Sequence, residues 1–318
     1  MKRALKLGTA IMVAGAVFST APAFAANKVT ILIGYGFGGT YGKYARTMAD
    51  HIRNHLPGKP TVVVQSMPGA GGLKATNYAA KVMPNNGEWM LEPPDTLVIS
   101  QLMRPKKVKY DARKFTWLGS VNTTNTVLVL RKDSGVKKWQ DLRKIPVICG
   151  GTGPGSTSFM IPMMIKEMLG AKIKLISGYK GSKRTILAME QGEHHGTGFN
   201  FLAWQAIVPH FFAKKYNGTA APGKEFAVPL LQIGTYVDPM LPDVPMINDH
   251  ISGINLKIAN FIATHGIIGR GLAYPPGVAQ KHINSGRKSY AEMAKDPAFI
   301  ADAKKRRLRV IYSSGEKI

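Results

Sequence analysis

Between Lys28 and Glu92 the chain alternates short apolar runs with stretches whose apolar residues return every three or four positions. A strand followed by an amphipathic helix must bury one face of each against the other, and repeats of that unit build an α/β architecture with mostly parallel sheets. The segment "KVTILIG" (28–34) reads as a first strand. Thr40 is placed to cap a helix in which Tyr41, Tyr44, Ala45, Met48, Ile52 and Leu56 share one face, and Pro57-Gly58 ends it. A second strand, "TVVVQ" (61–65), leads through the turn "MPGAGG" (67–72) to an alanine-rich helix ending near Met83, and "EWMLE" (88–92) follows. The pattern then changes. "FTWLGSV" (115–121) and "NTVLVLR" (125–131) are strands with almost nothing between them, as expected where a chain crosses into a second lobe. There the alternation resumes with "IPVICG", the loop "GTGPGSTSF", a Met-rich helix, "KIKLIS", a helix from Ser182 to Gln191 and a return strand "AVPLLQIG". Pro162 is expected in the first turn of the Met-rich helix, because deeper in it would cost a backbone hydrogen bond. A helix over about 276–295 and a short one after Asp296-Pro297 complete the pattern.

The first 25 residues read as a leader and not as part of the fold. Lys2, Arg3 and Lys6 precede the apolar stretch "LGTAIMVAGAVF", and Ala23-Phe24-Ala25 is a small-x-small cleavage site. The apolar stretch is shorter than the roughly 20 residues of a membrane span, and Ala26, not a cysteine, follows the cut. A soluble periplasmic protein starting near Ala26 is expected. Cys149 is the single cysteine, so no internal disulfide can form, and its place at the end of "PVIC" suits a buried strand thiol. Lys and Arg number 43 against 18 Asp and Glu, a net charge of +25 at pH 7. Such an excess draws anions over long range and leaves nucleic acid, an anionic membrane or small acidic solutes open as partners. The dense run "KKRRLR" (304–309) reads as a solvated terminal helix face.

Residues 31–46, "ILIGYGFGGTYGKYAR", imitate a nucleotide-binding loop. A dinucleotide fold needs an acidic residue at the end of the second strand, where this chain has Gln65-Ser66. A Walker loop needs glycine where Phe37 stands and Ser or Thr where Tyr44 stands. Both nucleotide readings fail, and no cofactor is expected. What remains is the physics behind the motif: glycines between a strand and a helix let backbone N–H groups approach an anion at the helix's positive end. The chain carries this arrangement three times, at 36–40, 68–72 and 151–157, which points to a shared anion site in a cleft. His194-His195 would point to opposite faces of a strand, a poor pair of metal ligands, and a partly exposed turn is expected there. Glu190 and Glu193 read as a solvated face, and no assembled catalytic set or metal motif is found.

The glycine loop followed by Arg46, then "MPGAGG", "GTGPGS", "GYKGS" with "AMEQGE", "LPDVP", and "PPGV" leading to "DPAF" occur in order from about Val29 to the C-terminus. This ordered set resembles the solute receptors of tripartite tricarboxylate transporters, the TctC or Bug family. The resemblance implies a type II periplasmic binding protein, two α/β lobes joined by two crossover strands with the ligand cleft between them. It places lobe 1 at 26–124 plus 235–318 and lobe 2 at 125–234. It also implies a receptor, with no catalysis, that captures a small carboxylate anion and delivers it to a membrane permease; a monomer is expected. The residues it assigns to the site are Phe37, Gly38, Gly39, Thr40 and Tyr41 from the first loop, Gly69 and Ala70 from the second, Thr152, Gly153, Gly155, Ser156 and Thr157 from the third, and Asn200 on the floor. Where the family usually has Asp, this chain has Gly42 and His195, so a partner for an ammonium group is missing and amino acids are expected to bind poorly. Two rival readings stand beside it, an exported polyanion- or nucleic-acid-binding protein and an enzyme on the same scaffold.

Export gives the first prediction. The intact mass of protein from a periplasmic fraction is expected to match a chain beginning at Ala26; a cytoplasmic pool retaining residues 1–25 overturns it.

Overall fold

A computed structural model of the chain describes residues 28–318; the expected leader at 1–25 lies outside the described residues. The chain opens with β1 (Lys28–Ile33), α1 (Thr40–Ile52), β2 (Thr61–Ser66), α2 (Leu73–Lys81), β3 (Trp89–Glu92), α3 (Leu97–Met103) and β4 (Thr116–Ser120). It continues with β5 (Thr126–Arg131), β6 (Val147–Gly151), α4 (Thr157–Leu169), β7 (Ile173–Ser177), α5 (Ser182–Glu190), β8 (Gly196–Asn200), α6 (Phe201–Ile207) and β9 (Ala227–Ile233). Last come α7 (Gly253–Ala263), α8 (His265–Ile268), β10 (Gly271–Tyr274), α9 (Gln280–Lys295), α10 (Pro297–Lys305) and β11 (Ser313–Ser314). Two α/β lobes result, one around a six-stranded sheet ordered β11-β4-β10-β3-β1-β2, the other around a five-stranded sheet ordered β7-β6-β8-β5-β9.

Both sheets are mixed. β1 runs parallel to β2 and β3, and β6 parallel to β7 and β8, as strand–helix–strand units require. The strands nearest the crossings run the other way: β10 is antiparallel to β3 and β4, and β5 to β8 and β9. The predicted face of α1 is the buried one, with Tyr44, Ala45, Met48 and Ile52 packing on Ile31 and Ile33 of β1 and on Met293 and Phe299 of α9 and α10. In the second lobe Leu128, Leu130 and Cys149 meet Ile161 and Ile165 of α4. Burial pushes the Cys149 thiol up to about 12, so it acts as a small apolar side chain.

Pro162 departs from expectation. It sits inside α4, six residues into a helix that begins at Thr157. The neighbouring Ile161 and Ile165 are fully buried in the second core, and a Cβ on Gly198 of β8 would lie 3.1 Å from the Cβ of Ile161. Packing of that face outweighs the roughly 3 kcal/mol that an interior proline costs.

The chain leaves the first sheet through residues 121–125 and regains it only at Gly271. Meanwhile Leu241 and Val244 pack in one core of the second lobe, and Ala259, Ile262 and Ala263 of α7 in the other. We propose on this packing that the return boundary lies at 264–270, later than the 235 expected from the sequence. The two crossings run side by side. Val121 N–H donates to Arg270 O at 3.0 Å, and the Thr126 hydroxyl and His265 Nε2 are 2.6 Å apart. Gly269, at φ 54°, is pressed so closely on Asn122 that a Cβ there would overlap the Asn122 carbonyl oxygen.

Gly269→Ala is therefore expected to destabilise the protein by more than the roughly 1–2 kcal/mol of a left-handed alanine alone. Gly170→Ala, also at positive φ but with open space around it, is the control expected to show only that smaller loss. Chemical denaturation of both variants checks the difference.

Candidate functional site

The N-termini of three helices face one cavity between the lobes. Thr40 begins α1, Thr157 begins α4 and Ser182 begins α5, and all three line the cavity together with Gly39 and Ser156, the residues just before α1 and α4. None of the three helices carries an acidic residue in its first turn. The first-turn N–H groups of a helix have no intrahelical acceptor and its dipole favours negative charge there, so the convergence suits an anion.

The hydroxyls around the cavity are tied into the loops. Ser156 Oγ donates to Gly153 O at 2.8 Å and lies 2.8 Å from Ser158 Oγ, which also accepts from Thr152 N–H. Ser182 Oγ accepts from Thr40 N–H at 3.4 Å, a bond that joins the two lobes. Asn200 uses its side-chain oxygen to cap α6 through Ala203 N–H, which leaves its amide NH₂ as the group it can offer. Tyr35 and Tyr41 stack at 4.3 Å and form an aromatic wall.

Behind that wall lie charges that the motif analysis did not foresee. Arg270 packs its guanidinium over the Tyr41 ring, 3.8 Å from the centroid, and its Nη1 donates to Asp95 Oδ2 at 3.3 Å. Its side chain is 4% exposed and that of Asp95 7%, and both line the cavity. Burial opposes the charge on Arg270, yet acidic groups around it, with the paired Asp95 carboxylate among them, hold its affinity for the proton above the ordinary value. Burial also pushes the Tyr41 hydroxyl well above its usual range. Glu92, at the end of β3, is fully buried with no hydrogen-bond partner for either oxygen, and that burial raises its pKa well above 4.5.

Of the residues assigned from the sequence, the structure gathers Gly39, Thr40, Tyr41, Thr152, Ser156, Thr157 and Asn200 around the cavity. Others lie outside it. Phe37 is 45% exposed at the lip, beside Arg46, and Gly38 is exposed next to Lys183. Gly69 and Ala70 are exposed, and their loop meets the third loop backbone to backbone. A Cβ on Gly153 would lie 2.9 Å from Gly71 N, and one on Gly155 would lie 2.8 Å from Ala70 O. Gly153 and Gly155 are thus buried contacts between lobes, outside the cavity lining.

The two positions with lost carboxylates also need correcting. Gly42 faces the Phe37 backbone, which a Cβ would overlap, and His195 accepts from Ile148 N–H through Nδ1 at 2.9 Å. Neither touches the cavity. His194 is buried, not partly exposed, with Nε2 2.9 Å from Thr185 O, and burial lowers its pKa. The residues missed were Tyr35, Asp95, Ser182, Phe199, Ala203 and Arg270. A signal existed for one of them: Arg270 is a lone charge in the apolar run "NFIATHGIIGRGLAY". Among the described residues no three His, Cys, Asp or Glu side chains gather to hold a metal ion, and no helix is long and apolar enough to cross a membrane.

Residues 44–213 match the family model TctC, described as tripartite tricarboxylate transporter family receptor. The chain belongs to this receptor family. No curated protein sequence matches it. Among solved structures it is similar to the periplasmic binding protein BugD, at 19% identity and a TM-score of 0.71 over 91% of this chain and 90% of that one. MatC from Rhodopseudomonas palustris with bound malate is similar at 17% identity and 0.70, over 90% and 91%. Rpa4515 of the same organism, with adipate, follows at 19% and 0.67, over 92% of each chain. At these identities the likeness establishes the receptor's two-lobed fold.

Glu92 yields a pH prediction. Its folded pKa is raised, so the folded state holds a proton that the unfolded chain releases above about pH 4.5, and stability falls as pH rises through that window. Glu92→Gln keeps the neutral shape at every pH. The variant is expected to gain on the wild type by up to about 1.4 kcal/mol per pH unit above that point. Thermal melts from pH 4 to 8 check this; a constant difference overturns it.

Proposed function

We propose that this chain is a periplasmic receptor that captures a small carboxylate-bearing solute between its lobes and hands it to the membrane permease of a tripartite transporter. The observation that carries the reading is the convergence of three acid-free helix N-termini and Arg270 on one cavity. MatC carries malate and Rpa4515 adipate, and a carboxylate group, which both solutes have, is what converging helix N-termini suit. On this reading the solute is bound and released unchanged, and the hydroxyls of Ser156 and Ser182 serve to hold loops together. The positive charge acts as a long-range attractor for anions, and no nucleic acid is required.

Capture needs motion. The cavity measures about 30 Å³, the share of one water, against roughly 300 Å³ at the low end of small-molecule pockets. The lobes therefore part by rotation about the paired crossings and close on the solute, which selects the closed form. Closure is read from the bonds that bridge them, Gly36 N–H to Lys180 O at 2.8 Å, Ser100 Oγ to Gly155 O at 3.5 Å and Lys43 Nζ to Ala206 O.

The test uses the solute that copurifies with the protein, identified by mass spectrometry. A Cβ on Gly39 would lie 2.8 Å from Ser182 Oγ, so Gly39→Val is expected to fold but to hold α1 and α5 apart and lose binding. Gly153→Val, at φ 144° and against Gly71, is expected to act likewise. Ser156→Ala is expected to cost only about 1 kcal/mol. Calorimetry decides; full affinity in both valine variants overturns the site.

A further inference from the structure

The helix ends account for one carboxylate, but nothing in that account uses the buried ion pair beside them. Arg270 has five N–H donors. Nη1 serves Gly269 O at 2.8 Å and Asp95 at 3.3 Å. Among the described residues Nε and Nη2 meet no hydrogen-bond partner, and Nε is fully buried. Nε is closed off by the surrounding protein, so Nη2 is the unpartnered nitrogen that an oxygen of a carboxylate can reach. A buried cation with a donor unspent is costly unless something docks there.

Asp95 has the complementary feature. Oδ2 faces Arg270, while Oδ1 accepts no hydrogen bond and belongs to the same cavity lining. The pair is held rigidly, since Asp95 N–H donates to Tyr41 Oη at 2.9 Å and the Tyr41 ring lies between Tyr35 and the guanidinium. The formal side-chain charges at the cavity sum to zero, with partial positive charge added only by the helix ends. A second carboxylate would meet the free oxygen of Asp95 as a like charge. A solute with a carboxylate and an ammonium group finds a partner for each.

On the reading of this cavity as the solute seat, we propose that Arg270 and Asp95 are its specificity-determining pair and that the solute is an α-amino acid. Its carboxylate docks on Nη2 of Arg270 beside the helix ends, and its ammonium on Asp95 Oδ1. This reverses the expectation drawn from Gly42 and His195, because the carboxylate that serves the ammonium comes from a different loop.

Calorimetry on the mature wild-type protein, stripped of copurifying solute, tests it. The panel is the proteinogenic amino acids, their deaminated monocarboxylates, and succinate, malate, adipate and citrate. At least one amino acid is expected to bind about tenfold or more tighter than its deaminated counterpart and than every di- or tricarboxylate. Asp95→Asn is expected to erase that advantage while sparing the deaminated acid, and Arg270→Gln to weaken both. A merely structural role for Asp95 would weaken both ligands alike. If the variants do not fold, the wild-type ranking alone decides. A di- or tricarboxylate that outbinds every amino acid overturns this inference and leaves the receptor standing; failure of every carboxylate, amino acids included, overturns both.

Discussion

Arg270 is placed where the second crossing of the chain meets the first. Its backbone carbonyl accepts from Val121 of the other crossing, while its side chain reaches the cavity and stacks on Tyr41. One residue therefore belongs both to the paired crossings, the proposed axis of lobe rotation, and to the lining of the cavity between the lobes. The packing around it leaves little slack: Gly269 is pressed on Asn122, and a Cβ on Gly266 would lie 2.6 Å from Thr124 O. A charge that docks on the guanidinium acts at the base of the moving segment, the place where a small differential affinity shifts the balance between open and closed forms.

The glycines have two uses that a motif search does not separate. Gly39 lets the start of α1 approach Ser182 across the cleft, at the rim of the cavity. Gly71, Gly153 and Gly155 instead let two loops from opposite lobes touch through bare backbone. Close approach is the common physical cause, but its object is a ligand seat in one case and a lobe contact in the other.

Long-range and local electrostatics also divide. The chain carries a net charge of +25, yet the cavity holds a matched Arg270–Asp95 pair with the buried carboxyl of Glu92 nearby. The outer charge raises the local concentration of anions. On the proposed reading the inner pair, shielded from solvent and salt, governs which of them is kept.

Periodicity and glycine punctuation were enough to read from the sequence the α/β class, the buried face of α1, the strand-to-strand crossing near 121–125 and the ordered motifs of the family, because each is set by residues close together in the chain. The family resemblance brought Gly39, Thr40, Tyr41, Thr152, Ser156, Thr157 and Asn200 into consideration, residues that lie in or beside the loops leading into helices. Three things depended on the tertiary structure. Pro162 is tolerated inside α4 because of packing on β8, apolar side chains between Leu241 and Ala263 pack in the cores around the second sheet, and Asp95 meets Arg270 across 175 positions of sequence. The last of these decides the charge of the seat. Two isolated charges in apolar surroundings signal only that partners exist; which partners, and what edge of each is left free, follows from how the two crossings bring β10 beside β3.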